Sequence, residues 1–283
     1  MIGWRFLLSA RWGGYLALAM VFAIVCCLLG NWQFARRAEA RIEIDRILGN
    51  YDATPVPLAD AMPDADSFSP DDKWLPVEVT GEYLVDEQML VRNRPRSGTP
   101  GFEVLVPFQT TGGAVFLVDR GWLTIGNLQD TPDVVPEAPG GEITVVARLK
   151  AAEPALAGRT APEGQVATIE VPAILDELGH DGYTAAYGLL VSETPAPGGV
   201  QPALNLEPVL DEGPHLSYAV QWYIFALLGF GGLAYAARQE YRTLNEDDPA
   251  EQERARQRRE KRERGPRSDA DIEDALLDGD RER

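Results

Sequence analysis

Among the 283 residues there are two imidazoles, His180 and His215, and they bound the chemistry the chain offers. A hydrolase built on serine or cysteine needs a base beside its nucleophile. Neither histidine is accompanied by a Gly-x-Ser-x-Gly elbow or a Ser-x-x-Lys pair. No P-loop and no Gly-x-Gly-x-x-Gly turn after a strand is present. His180, in "ELGHDGY", follows an expected helix end and reads as an exposed loop residue; no second histidine or cysteine stands near it at metal-ligand spacing. The sequence argues against an enzyme. His215 is different, because it opens the apolar run "HLSYAVQWYIFALLGFGG". There His215, Tyr218, Ala219 and Trp222 recur at helical spacing, and in an earlier apolar run Gln33, Arg36 and Arg37 do the same with Trp32 beside them. Taken singly, the aromatic residues read as an interfacial belt and the arginines as snorkelling anchors. Together with an imidazole they outline an amphipathic pocket for a ligand with an apolar body and acidic groups.

Two elements must position these residues. Neither 12–34 nor 216–237 contains a charged side chain, and each is long enough to cross a hydrocarbon core of about 30 Å at about 1.5 Å per residue. The expected order is an N-terminal stretch 1–11, transmembrane helix 12–34, an outside domain 35–214, transmembrane helix 215–237 and a charged tail 238–283, solvated or disordered. The first span is too long for a signal-peptide core, no small-residue cleavage site follows it before Arg36, and no transit-like extension precedes it, so an uncleaved anchor in a bacterial cell membrane is expected. Of the net charge of −18, residues 38–213 carry most, with 10 basic and 29 acidic side chains. No Lys or Arg lies between Thr160 and His215, whereas Arg238 and Arg242 follow the second span, which places both termini in the cytoplasm. Arg36, Arg37 and Arg41 run against that rule. If the spans pair antiparallel, their two polar groups meet at one depth, and Gly13, Gly14 and Ala17 face Gly229, Gly232 and Ala236 for close approach. Both cysteines, Cys26 and Cys27, lie inside the first span, so the outside domain has no disulfide.

Within that domain "ARRAEARIEIDRILGN" reads as a helix stopped by Gly49 and Asn50, and 52–73 as an irregular Pro- and Asp-rich connector. The period then becomes two. Segments 75–84, 88–94, 102–109, 114–122, 142–150 and 186–194 read as short antiparallel strands, with a hairpin at Thr111-Gly112-Gly113 and one helix at 171–179. The fold class is thus a membrane protein with two transmembrane helices flanking one mainly β (α+β) domain, an antiparallel sheet or small barrel. Its acidity excludes a nucleic-acid groove and favours a basic or polar partner surface.

Several blocks carry a further resemblance. "GNWQFARR" (30–37) resembles the signature at the end of the first membrane helix in the Surfeit locus protein 1 family; "LVRNRPRSGTPGFEVLVPF", "FLVDRGW" and "HLSYAVQWYIFAL" resemble its later blocks, in the family's order. Ala40 stands where the family often has lysine. The resemblance implies an assembly factor for haem–copper terminal oxidase (cytochrome c oxidase) that binds haem a at the outer membrane edge and aids its insertion into subunit I. In that reading His215 is the iron ligand, with Trp32, Gln33, Arg36, Arg37, Tyr218 and Trp222 around the cofactor. Oxidase subunit I, other oxidase assembly factors and the lipid bilayer are the implied partners. The alternative is a structural chaperone that stabilises nascent subunit I without haem.

Overall fold

A computed structural model describes residues 3–128 and 130–263. Two compact units divide the chain, one built from residues up to 37 together with those from 213 on, the other from residues 38–212.

The first unit holds the N-terminal part of α1 (Ala10–Asn50) and α4 (His215–Leu244), both long and apolar enough to cross a membrane. The two apolar stretches pair antiparallel: Gln33 meets His215, Asn31 meets Tyr223, Phe22 lies on Gly229, and Trp12 meets Glu240. The anticipated contact through Gly13, Gly14 and Gly232 is not formed, since a Cβ at any of the three would meet nothing within 4 Å. The seam instead follows the helical stripe through Trp12, Cys26 and Gly30, with Ala219, Ala226 and Ala237 on the partner helix. Gly30 and Gly229 lie on it, each accommodating an aromatic ring rather than a second backbone. The expected break between a membrane helix and a separate 35–50 helix is absent. "ARRAEAR" consists of strong helix formers, so nothing interrupts α1 before Asn50. The tail 238–283, expected to be solvated or disordered, is ordered in its first part, where α4 runs on to Leu244 and α5 (Pro249–Glu263) follows; 264–283 lies outside the described residues.

The second unit is a closed five-stranded barrel. Strand β2 (Pro76–Tyr83) pairs with β6 (Ile143–Ala151), β6 with β8 (Ala186–Thr194), β8 with β5 (Val115–Thr124), β5 with β4 (Gly101–Thr110), and β4 returns to β2. Closure occurs where Gly81, Glu82 and Tyr83 pair with Thr110, Gln109 and Phe108. A Cβ at Gly81 would sit 2.0 Å from the Gln109 carbonyl oxygen, so this corner requires glycine. The expectation of antiparallel pairing fails at β5–β8, which is parallel, because the chain between them makes β6 and a helical crossover rather than a hairpin. The segment expected as strand 88–94 is shorter, β3 (Met89–Val91), and bonds to β4 and to the two-residue β7 (Gln165–Val166). Part of the supposed irregular connector is ordered too: β1 (Val56–Pro57) adds to β2, and Leu58 of α2 (Leu58–Ala61) with Met62 enters the core.

Alternation sorts the side chains into two cores. Val104, Val106, Phe108, Phe116 and Val118 fill the barrel interior. Leu105, Val115, Leu117, Tyr187 and Leu189 point outward, beneath Ile174 and Leu175 of α3 (Val171–Leu178). Covered on both faces, β4 and β5 read as nearly continuous apolar runs, whereas β6 alternates buried and half-buried.

Gly81→Val should lower stability by about 1–3 kcal/mol or prevent folding, through overpacking at the closure. Gly112→Ala, whose Cβ finds ordinary contact at 3.6 Å, should be near neutral. Thermal unfolding of the two variants checks this.

Candidate functional site

His215 is the first residue of α4, preceded by Pro214 and by Gly213 at φ +68°. Its Nδ1 lies 2.8 Å from Gln33 Oε1 of α1. A carbonyl oxygen only accepts, so Nδ1 is the donor in this contact, and in the neutral ring Nε2 is the nitrogen that bears the lone pair. A Cβ at position 213 would stand 3.3 Å from Nε2, and the glycine leaves that side of the ring uncrowded. A half-buried imidazole whose Nδ1 is held by a side-chain carbonyl has the form of a metal-ligating histidine with its orienting partner.

The other expected members are distributed around it. The Arg36 guanidinium lies 5.8 Å from the centre of the Trp32 ring, and Trp32 is 52% exposed. Arg37 is half-buried. Tyr218 is exposed, and Trp222 packs edge-on against Phe225 at 5.8 Å. Ala219, on the same stripe as His215, is fully buried at the seam. Further into the helix pair, Tyr223 OH donates to Asn31 Oδ1 at 2.8 Å, a bond the motif reading missed. Two polar side chains inside uncharged runs were its signal, since polar groups at membrane depth require partners. At the opposite end Trp12 Nε1 donates to the Glu240 carboxylate at 3.2 Å, Arg11 pairs with the same group, and Trp4 stacks on Tyr241.

In the barrel unit a second polar cluster surrounds the end of β5. Across from Glu103 and Leu105 of β4 the register shifts, leaving an extra residue on β5 at Arg120–Gly121. Arg120 then points into the barrel, where its Nε lies 3.0 Å from Glu193, its Nη2 donates to Gln201 and its guanidinium faces the Tyr83 ring. Tyr83 OH donates to the same carboxylate at 2.8 Å, and burial pushes the phenol's pKa upward. Gly121 has φ +128°, and a Cβ there would meet the Ala203 carbonyl at 2.6 Å. Asp119 faces the opposite side. It accepts from the Gly121 amide and from Asn205 Nδ2, and burial, reinforced by the Glu103 carboxylate, pushes it up to about 8. Glu153 shows the reverse: burial would raise it, but hydrogen bonds from Arg94, the Ile169 amide and Thr168 prevail and hold it at about 2. With its acid and cation shielded from solvent, this cluster is built for cohesion. Trp122, half-buried, donates from Nε1 to the Arg94 carbonyl at 2.6 Å. His180 is half-buried rather than exposed, because Glu87 holds its Nε2 at 2.8 Å.

The SURF1 family sequence model matches residues 20–227. This chain belongs to the SURF1 family. Uncharacterised SURF1-like proteins of Mycobacterium tuberculosis and Mycobacterium bovis are 36% identical to it over 248 residues, 81% of this chain and 85% of theirs. The cytochrome oxidase assembly protein SHY1 of Saccharomyces cerevisiae is 30% identical over 119 residues, covering 40% of this chain and 29% of SHY1. The SURF1 match includes both Gln33 and His215.

Asp119 keeps its proton in the folded state after the unfolded chain, at an ordinary 3.8, has lost it. Its contribution to stability therefore falls as pH rises from about 4 to about 8 and is level above that, at a slope of at most about 1.4 kcal/mol per pH unit. Asp119→Asn should flatten this part of the pH profile, leaving the slope of Glu103, whose pKa burial also raises. Denaturant unfolding at a series of pH values measures both.

Proposed function

We propose that this protein serves in the assembly of a haem–copper terminal oxidase, holding haem a at the membrane edge and passing it toward oxidase subunit I. Membership of the SURF1 family, and the name of the yeast relative, support the role in oxidase assembly. One observation carries the finer reading: Gln33 Oε1 lies 2.8 Å from His215 Nδ1, an arrangement that in the neutral ring offers Nε2 as the ligand atom. A neutral imidazole is a good haem-iron ligand. Arg36 and Arg37 supply cationic charge for propionates, and Trp32, Tyr218 and Trp222 supply apolar and aromatic surface for the macrocycle and its tail. Haem is cargo here; the protein's own residues orient it and keep it beside the bilayer. Arginines that oppose the topology rule then acquire a reason for standing at the outer edge. Subunit I and further assembly factors are the implied partners, met within the lipid bilayer.

In this reading both termini are cytoplasmic in a bacterial cell membrane, and residues 38–212 face outward. With Cys26 and Cys27 replaced, a cysteine introduced at Asp64 should react with an impermeant thiol reagent in intact cells, and one at Arg258 should react only after lysis. Labelling at 258 in intact cells would reverse the orientation.

Haem spectra test the site. Protein purified from cells that make haem a should carry it. His215→Ala should lose at least about tenfold in bound haem while still inserting in the membrane, because the apolar span is unchanged. Gln33→Leu removes the acceptor for Nδ1 and should weaken retention about 10- to 100-fold. If His215→Ala keeps stoichiometric haem with an unaltered spectrum, the histidine is no ligand and the haem-free chaperone reading stands.

A further inference from the structure

The block "VRNRPRSGTPGF", residues 91–102, is part of the SURF1 match, yet the haem reading makes no use of it. In the barrel unit cations are heavily outnumbered by acids, and most are neutralised. Arg41, Arg46, Lys73, Arg94, Arg120 and Arg148 each lie within ion-pair distance of a carboxylate, and Lys150 lies over the Tyr187 ring. Among the described residues of this unit, Arg92, Arg96 and Arg159 are the arginines with no carboxylate partner. Two of these three flank Arg94.

Their loop is held firmly. Arg94 is clamped by Glu103 at 2.9 Å and Glu153 at 2.5 Å, its amide donates to the Gly101 carbonyl, and its own carbonyl accepts from Trp122 Nε1. Arg96 pairs with Thr99 through the backbone, lies over the Trp122 ring at 5.7 Å and donates to the Ala203 carbonyl. Asn93 and Ser97 adopt positive φ values of 56° and 50°, a conformation that non-glycine residues rarely take outside over-determined, often functional, segments. Beneath the loop is a cleft of 450 Å³. Arg92 and Arg94 line it together with the apolar walls Pro95, Pro100, Phe102 and Ile125, and Asp130 is its one exposed acid. With Arg94 already committed to Glu103 and Glu153, the Arg92 charge is left for an incoming group.

We infer that this cleft docks an extended acidic segment of a partner protein, with a carboxylate on Arg92, a second within reach of Arg96, and an apolar side chain between them on the proline and phenylalanine walls. Charge complementarity selects the occupant. A domain with this excess of acid disfavours acidic polypeptides over most of its surface, so two arginines without carboxylate partners on one rigid loop create local attraction with high contrast. An anionic lipid headgroup would meet Arg92 equally well, but it has no use for apolar walls within a concave site. The inference is independent of haem binding.

The test uses the full chain in detergent micelles and a fluorescein-labelled eight-residue peptide alternating Glu and Leu, with Gln–Leu and Lys–Leu peptides as controls. Anisotropy should show binding of the Glu–Leu peptide alone, weakening as salt rises. Arg92→Gln and Arg96→Gln should each lower affinity at least fivefold; Arg92→Gln should leave thermal unfolding unchanged, while Arg96→Gln, which gives up its bond to the Ala203 carbonyl, should lower it slightly. Arg159→Gln, at the third arginine without a carboxylate partner, should leave binding unaltered. Equal binding of the Gln–Leu peptide, or wild-type affinity in Arg92→Gln, overturns the proposal. So does capture by phosphatidylglycerol vesicles that depends on Arg92 while the Glu–Leu peptide stays unbound, since that assigns the arginine to phosphate.

Discussion

A guanidinium buried inside the barrel, that of Arg120, is the constraint around which the extramembrane unit is arranged. Its partners come from separate parts of the chain: Tyr83 from β2, Glu193 from β8 and Gln201 from the segment leading toward α4. Removing one member of a buried pair leaves the other charge unsolvated, at a cost of about 3–5 kcal/mol. The barrel therefore closes around Arg120 or not at all, and the bulge on β5 is the backbone adjustment that turns this residue inward while Asp119 turns out. Gly121 is a consequence of the same adjustment. The extra residue forces a positive φ, and the Ala203 carbonyl then occupies the space of a side chain.

Much of this architecture was legible before any coordinates. The six principal strands and α3 were visible because alternation and turn residues are local properties, and the "FLVDRGW" block marked the end of β5. Antiparallel pairing of the two apolar helices, with Gln33 and His215 at one depth, followed from helical spacing and topology. What stayed hidden was non-local. Nothing around Arg120 names Glu193, 73 residues away, as its partner, and strand parity alone does not distinguish a closed barrel from an open sheet. Val56–Pro57 and Gln165–Val166 are too short to carry a period. The helix seam was misplaced because small residues were taken as the guide, whereas the buried stripe is set by rotation along α1, and Gly13 and Gly14 fall off it.

Of the candidate site, residue types and depth were readable but the roles of neighbours were not. Gln33 could be placed on the correct face; only its distance to Nδ1 shows that it orients the imidazole. Tyr223 and Asn31 form an interhelical bond that no motif announces. Conversely, Arg36 and Trp32 interact within one helix, as i, i+4 spacing anticipates.

The helix pair is fastened at both ends, by Gln33 with His215 and by Trp12 with Glu240. Between these fasteners Phe22 and Tyr223 seat in the glycine notches of the facing helix. Sliding one helix past the other by one turn, about 5.4 Å, would unseat both rings and break both terminal bonds at once. The pair thus behaves like a ratchet with its pawl engaged, with a single register and no piston travel. Any displacement of His215 that keeps these contacts must bend or roll the two helices together.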